Sequence, residues 1–89
     1  MKFEFDSRKS QTNKAKYGID FIDAQVLWED PDFIEIPART EDEPRFMVIG
    51  RIGERMWAGV ITLRGDAIRV ISVTPAHRKE IEIYEGKGV

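Results

Sequence analysis

Two glycine-led turns, Gly53-Glu54 and Gly65-Asp66, divide the second half of this chain into three runs rich in β-branched and apolar residues, 45–52, 55–64 and 67–73. Glycine at the first loop position suits a two-residue type II′ turn, whose twist matches that of paired strands. The spacing therefore predicts an antiparallel meander.

The same loops set a register. Leu63 is expected to face Ile68, Thr62 to face Arg69, Arg64 to face Ala67, Arg45 to face Thr62, and Ile49 to face Ala58. Side chains alternate between the faces of a sheet. One face then carries Trp57, Ile61, Leu63, Ile68 and Val70, a core face for helices. The other gathers Arg45, Thr62, Arg64 and Arg69 at one end, with an apolar patch of Met47, Ile49, Val60 and Ile71 behind them. Three guanidinium groups on one face repel unless an anion or carboxylates come between, and their planar forks match phosphate oxygens. The alternative is ordinary surface pairing with Glu43, Asp66 or Glu80, which is worth little. A third residue in either loop would reverse the alternation and disperse the cluster.

Before the meander, Phe3-Glu4-Phe5 reads as a short strand. Asp6 is a good N-cap and Gly18 a good terminator for a helix over residues 7–17. Asp20 caps a second helix, with Phe21, Ala24, Leu27 and Trp28 as its apolar stripe and Asp30-Pro31 as its stop. Residues 33–36 alternate like a strand, and 39–44 form a polar, acidic loop. After the meander, Thr74-Pro75 is expected to start a C-terminal helix that Gly86 can end. The fold class is α+β: a small antiparallel sheet with two N-terminal helices and one C-terminal helix.

Composition narrows the chemistry. A chain of 89 residues has room for one modest core. It contains no cysteine and a single histidine, so thiol nucleophiles and cysteine-ligated zinc are ruled out, and neither a metal nor a cofactor is expected. No apolar run is long enough to span a membrane, and the opening residues lack the apolar middle of a secretion signal, so a cytoplasmic location is expected. The net charge of −2 argues mildly against a nucleic-acid partner. That average hides an uneven layout: residues 20–45 carry nine acids against two arginines, whereas residues 1–19 carry five Lys/Arg against two acids. The acidic middle is either a solvated face or a surface turned away from an anionic ligand.

His77, Ile81 and Tyr84 share one helical face. His77 could serve as a general acid or base near neutral pH, or simply as an exposed capping residue. Tyr84, Trp28 and Trp57 read as packing residues.

One family resemblance runs through nearly the whole chain. It starts at Phe3-Glu4-Phe5-Asp6, continues through Lys9, Asn13, Lys16, Gly18, Phe21 and Ala24, and resumes at Glu43-Pro44-Arg45-Phe46 with Ile49-Gly50. Its strongest block is Thr62, Arg64-Gly65-Asp66, Ile68-Arg69-Val70-Ile71-Ser72, Ala76, Arg78, Glu80 and Tyr84. In order and spacing these residues resemble the BrnT-type toxins of bacterial type II toxin–antitoxin pairs. The resemblance implies a single RelE-like toxin domain over residues 1–89 and a metal-independent endoribonuclease that arrests growth. It also implies a BrnA-type ribbon-helix-helix antitoxin, a hetero-oligomer with it, and contact with operator DNA only through that partner.

For such chemistry, Arg64 and Arg69 are expected at the scissile phosphate and Arg78 at the same phosphate or its neighbour. Lys9, Lys16 and Arg45 would hold the RNA backbone, and His77 would be the base ahead of Glu80. Two departures weaken the match. Where the family commonly runs Ser-Ala-Arg-Lys-Ala, this chain has Ser72-Val73-Thr74-Pro75-Ala76, and Tyr17 replaces a histidine. Each missing cation removes a charge-assisted contact of about 1.5–3 kcal/mol, about tenfold or more in binding or rate. The alternative function is a catalytically silent relative that binds the antitoxin as a co-repressor.

Overall fold

A computed structural model describes residues 1–39 and 42–86. Along the chain lie β1 (Lys2–Phe5), α1 (Ser7–Tyr17), a 3-10 helix (Asp23–Glu29), β2 (Ile34–Ala38), β3 (Arg45–Ile52), β4 (Arg55–Arg64), β5 (Ala67–Pro75) and α2 (Arg78–Gly86). The strands form one five-stranded sheet in the order β1-β5-β4-β3-β2, so the α+β class holds. The loop expected over residues 39–44 includes Thr40 and Glu41, which lie outside the described residues.

The meander closes in the expected register. Arg45 pairs with Thr62, Ile49 with Ala58, Thr62 with Arg69, Leu63 with Ile68 and Arg64 with Ala67. Gly53 and Gly65 take φ of 63° and 60°, the positive values that the first position of these loops requires and that glycine adopts without steric cost.

Three details of the sheet differ from expectation. First, it is mixed rather than wholly antiparallel, because β1 runs parallel to β5 with Phe3 opposite Ile68 and Glu4 opposite Arg69. The chain leaves β1 beside Val70 and enters α1, which continues along the same edge of β5 as far as Val73. Second, a bulge lies between Val60 and Ile61, which pair with Ser72 and Val70, so Ile71 is the extra residue. Third, no helix starts at Thr74-Pro75. Strand pairing there continues through Thr74 opposite Ala58 and Pro75 opposite Trp57, and the Ala76 N–H still donates to Met56 O at 3.0 Å. Pro75 is tolerated because no strand flanks its outer side and no donor is needed there.

The second helix is 3-10 in form. Phe21, Ala24 and Leu27 are spaced by three, the interval at which 3-10 side chains stack in one row, and all three are buried. Asp20 Oδ1 starts the segment by accepting from the Ile22 and Asp23 N–H groups at 2.9 and 2.7 Å. Leu27 lies on the sheet where two glycines make room for it. A Cβ on Gly50 would come within 3.1 Å of one Leu27 methyl, and one on Gly59 within 3.5 Å of the other. Around Leu27, Val48, Trp57, Ile61, Val70 and Val73 complete the main core, with Phe3 edge-on to Trp28 and Phe5 edge-on to Phe21.

Leu63 belongs to that face but is 54% exposed, because it lies beyond the helical cover. Nor do all helices share the face. α2 crosses the opposite one, where Tyr84 packs with Ile49, Ala58, Met47 and Met56. Ile49 is fully buried there and Met47 packs against it, so half of the apolar patch expected to receive a partner is engaged by the chain itself.

α1 has the composition of a solvated helix, yet it is locked in place. Asp6 caps it by accepting from Lys9 N–H at 3.0 Å, and Gly18, at φ 82°, ends it in the left-handed region. Its buried residues are polar: Ser10 and Asn13. Asn13 Nδ2 donates to Val73 O at 2.8 Å and to Ile19 O at 2.9 Å, while Oδ1 accepts from Val73 N–H at 3.2 Å. One amide thus gives Val73 what a sixth strand would have provided. Ser10 Oγ accepts from Phe21 N–H at 2.9 Å. Asn13→Ala would strand a buried donor and two buried acceptors. We expect it to cost about 2–3 kcal/mol in a urea melt, more than a surface substitution on the same helix.

Candidate functional site

The face opposite the main core carries one row of polar side chains across four strands: Glu4 on β1, Arg69 on β5, Thr62 on β4 and Arg45 on β3. Arg69 Nη1 donates to Glu4 Oε2 at 2.8 Å, and both side chains are partly exposed. The buried Thr62 hydroxyl donates to Pro44 O at 2.7 Å. Arg45 Nε is buried and meets no hydrogen-bond partner among the described residues. Arg64 lies one pair nearer the sheet end, with Nη2 at 3.7 Å from Glu43 Oε2. In the same zone Lys2 and Asp66 approach to 3.8 Å. Of the carboxylates expected beside the arginines, Glu43 reaches Arg64, Asp66 pairs with Lys2, and Glu80 lies elsewhere. The closest pairing, Glu4 with Arg69, was not foreseen.

Alongside this row a cleft of about 400 Å³ separates α1 from β5. Arg8, Lys9, Thr12 and Lys16 wall it, and Ser72 and Thr74 contribute its floor. Ser72 and Thr74 pair with Val60 and Ala58, which puts them on the same sheet face as Thr62 and Arg64. The cleft and the arginine row therefore open to one side. At the start of α1 the Asp6 carboxyl is held below its usual range mainly by the Lys9 N–H, against some burial, with further lowering from the Arg8 N–H and the charges of Lys9 and Arg69. Three cations of α1 thus border the cleft, and Arg69 stands on the strand that supplies its floor. Lys9 and Lys16 were expected there, and Arg8 was not. The signal for Arg8 was available, since residues 8, 9, 12 and 16 share one helical face at offsets of three and four.

The remaining expected site residues lie apart. His77 and Arg78 follow the far end of β5, roughly 20 Å from Arg69 along the strand at ~3.3 Å per residue. Both are exposed. His77 precedes α2, its N–H donating to Glu80 Oε1 at 2.8 Å and its carbonyl accepting from Ile81 N–H at 2.9 Å. Glu80 acts here as the carboxylate of a capping interaction.

Tyr84 determines where α2 lies, through its packing and through a 2.9 Å hydrogen bond from its hydroxyl to Asp30 Oδ2. Asp30 Oδ2 also accepts from Arg51 N–H at 2.9 Å, and Oδ1 accepts from Asp32 N–H at 2.8 Å. Burial pushes the Asp30 carboxyl up, but the Asp32 and Arg51 N–H groups and the Tyr84 hydroxyl together hold it below its ordinary value. The Tyr84 hydroxyl is raised, first by burial and then by its bond to Asp30.

A cationic cleft beside an arginine-bearing sheet end is a surface that favours an anionic ligand electrostatically. The comparisons are more specific. The model of the family described as "Ribonuclease toxin, BrnT, of type II toxin-antitoxin system" matches residues 5–80, and the chain belongs to that family. No curated protein matches it. Family membership implies an RNA substrate and a cognate antitoxin. Among the described residues, no helix is long and apolar enough to cross a membrane.

Tyr84→Phe is expected to cost about 1 kcal/mol at neutral pH, since the lost bond is to a charged but partly exposed group. The lowered Asp30 value means that its contribution is present above the usual carboxylate range near ~4 and is lost as pH falls through the folded-state value. The raised Tyr84 value means that its contribution is present below ~10 and is lost as pH rises beyond that. The difference between mutant and wild type in denaturant melts should therefore be largest between these limits and shrink on the acid side.

Proposed function

We propose that this chain is an endoribonuclease that holds the RNA backbone in the cleft between α1 and β5 and cleaves it at the arginine row. The observation that carries this reading is the convergence of Arg8, Lys9 and Lys16 on one cleft whose floor belongs to β5, the strand that carries Arg69. Backbone phosphates dominate nucleic-acid affinity, and a cationic groove that tracks them needs no base-specific contact.

Cleavage uses the RNA's own 2′-hydroxyl as nucleophile and needs no metal. The phosphorane gains negative charge, and guanidinium groups stabilise such charge with geometric precision. Arg69 and Arg64 contact the scissile phosphate, with Arg45 one strand further on. Lys9, Lys16 and Arg8 hold the neighbouring phosphates. Arg78 and His77, beyond the other end of β5, are assigned to outer contacts with RNA or antitoxin. A BrnA-type ribbon-helix-helix antitoxin would neutralise the toxin by covering this surface, and toxin without antitoxin would arrest growth.

A second reading is favoured by one observation. Thr74, which stands where the family commonly has a cation, lies on the floor of the cleft. A cleft with fewer cations suits a weakened or silent relative that keeps the antitoxin interface and acts as a co-repressor.

Induction of the chain without its antitoxin separates the two. Growth arrest with decay of total RNA, both relieved by Arg69→Ala or Arg64→Ala, is expected from the first reading. Normal growth and intact RNA, with folded protein present, would leave only the second. RNA affinity measured against salt tests the cleft itself. Lys16→Ala should reduce the slope of log K against log salt by about 0.7, and Thr74→Arg should raise it by about as much.

A further inference from the structure

We propose that Glu4 is the general base of RNA cleavage, an inference that rests on the ribonuclease reading above and adds the group that takes the proton. Three observations lead to it. The parallel pairing of β1 with β5 puts Glu4 directly opposite Arg69, and the carboxylate touches the guanidinium at 2.8 Å. The Glu4 side chain remains 40% exposed, so a substrate hydroxyl can reach it. His77 and Glu80, the bases expected from sequence, lie beyond the far end of β5, and Glu80 is occupied by the His77 N–H.

A base for this reaction must stand within hydrogen-bond reach of a hydroxyl whose neighbouring phosphate is gripped by a cation. Glu4 and Arg69 form such a pair, and Arg69 keeps donors for a phosphate beyond the one it gives to Glu4. The other carboxylates near the row are less suited. Asp6 is engaged as the α1 cap, Asp66 lies beside Lys2 at the sheet end, and Glu43 approaches its arginine, Arg64, only to 3.7 Å.

The step balances as a transesterification. A Glu4 carboxylate oxygen takes the proton of the 2′-hydroxyl, the O2′–P bond forms, and the P–O5′ bond breaks with the negative charge held by Arg69. The departing 5′-oxygen takes a proton from water, and the hydroxide produced removes the proton from Glu4. The products are a 2′,3′-cyclic phosphate end and a 5′-hydroxyl end. No atom is oxidised or reduced.

Glu4→Gln tests this, because the amide can still accept from Arg69 but cannot take the proton. Single-turnover cleavage of an RNA oligonucleotide is compared with binding of its 2′-deoxy counterpart, which lacks the nucleophile. The expected result is a 10²–10⁴-fold loss of cleavage with binding of the deoxy probe retained or tightened, and partial recovery in Glu4→Asp. Unchanged or faster cleavage by Glu4→Gln would overturn the proposal and make Glu4 a mere counter-ion. A parallel loss of cleavage and binding would overturn it too, leaving Glu4 only to position Arg69. A 100-fold loss in His77→Ala would return the base to His77, whether or not Glu4→Gln folds. Wild-type protein that binds RNA yet never cleaves it would refute the ribonuclease reading itself, a failure distinct from that of Glu4 alone.

Discussion

The side chain of Asn13 ties α1 to the edge of the sheet. α1 has no apolar stripe with which to bury itself, since its inward residues are Ser10 and Asn13. It is attached instead by hydrogen bonds to backbone groups, and Asn13 meets both the donor and the acceptor of Val73. Buried backbone groups must find partners, and an unpaired one costs as much as a lost hydrogen bond. Val73 lies just past the reach of β1, so one amide resolves the exposed half of the β5 edge and fixes the helix that carries Arg8, Lys9 and Lys16. The cleft exists because a polar helix is held by polar contacts, with Arg8, Lys9 and Lys16 lining it.

The sheet divides the work between its faces. One face is committed to the core, where Leu27 fits over Gly50 and Gly59. The other is shared between α2, which covers the end around Ile49, and the polar row that ends at Glu4. The bulge at Ile71 lets one strand serve both ends. Before it, Arg69 faces the same side as Thr62; after it, Ser72 and Thr74 face that side again as the floor of the cleft. Without the extra residue, the side chains beyond it would exchange faces.

Much of this was legible in the residues. The Gly53 and Gly65 turns yield the register directly, because a two-residue loop leaves no freedom in the pairing beside it, and the arginine cluster follows from that register. Asp6 and Gly18 bound α1 correctly because caps are local chemistry. Local signals misled where a tertiary alternative was stronger. Thr74-Pro75 looks like a helix start, but β4 offers pairing partners up to Trp57, and strand continuation wins. Phe21, Ala24 and Leu27 fit an α-helical stripe loosely and a 3-10 row better. With β5 running on to Pro75, the histidine is carried to the other end of the sheet.

The sequence by itself determined the strands, the turns, the order of cations and, through residues spread over most of its length, the family. These depend on interactions between near neighbours or on a pattern that reads along the chain. Only the tertiary structure decided that β1 runs parallel beside β5, that α2 takes the opposite face from the 3-10 helix, and that Glu4 meets Arg69 across 65 positions of sequence. Periodicity says which side chains share a face, but not which strand will fill an open edge or in which direction. That choice was made by α1, which had to run along β5 to bring Asn13 to Val73.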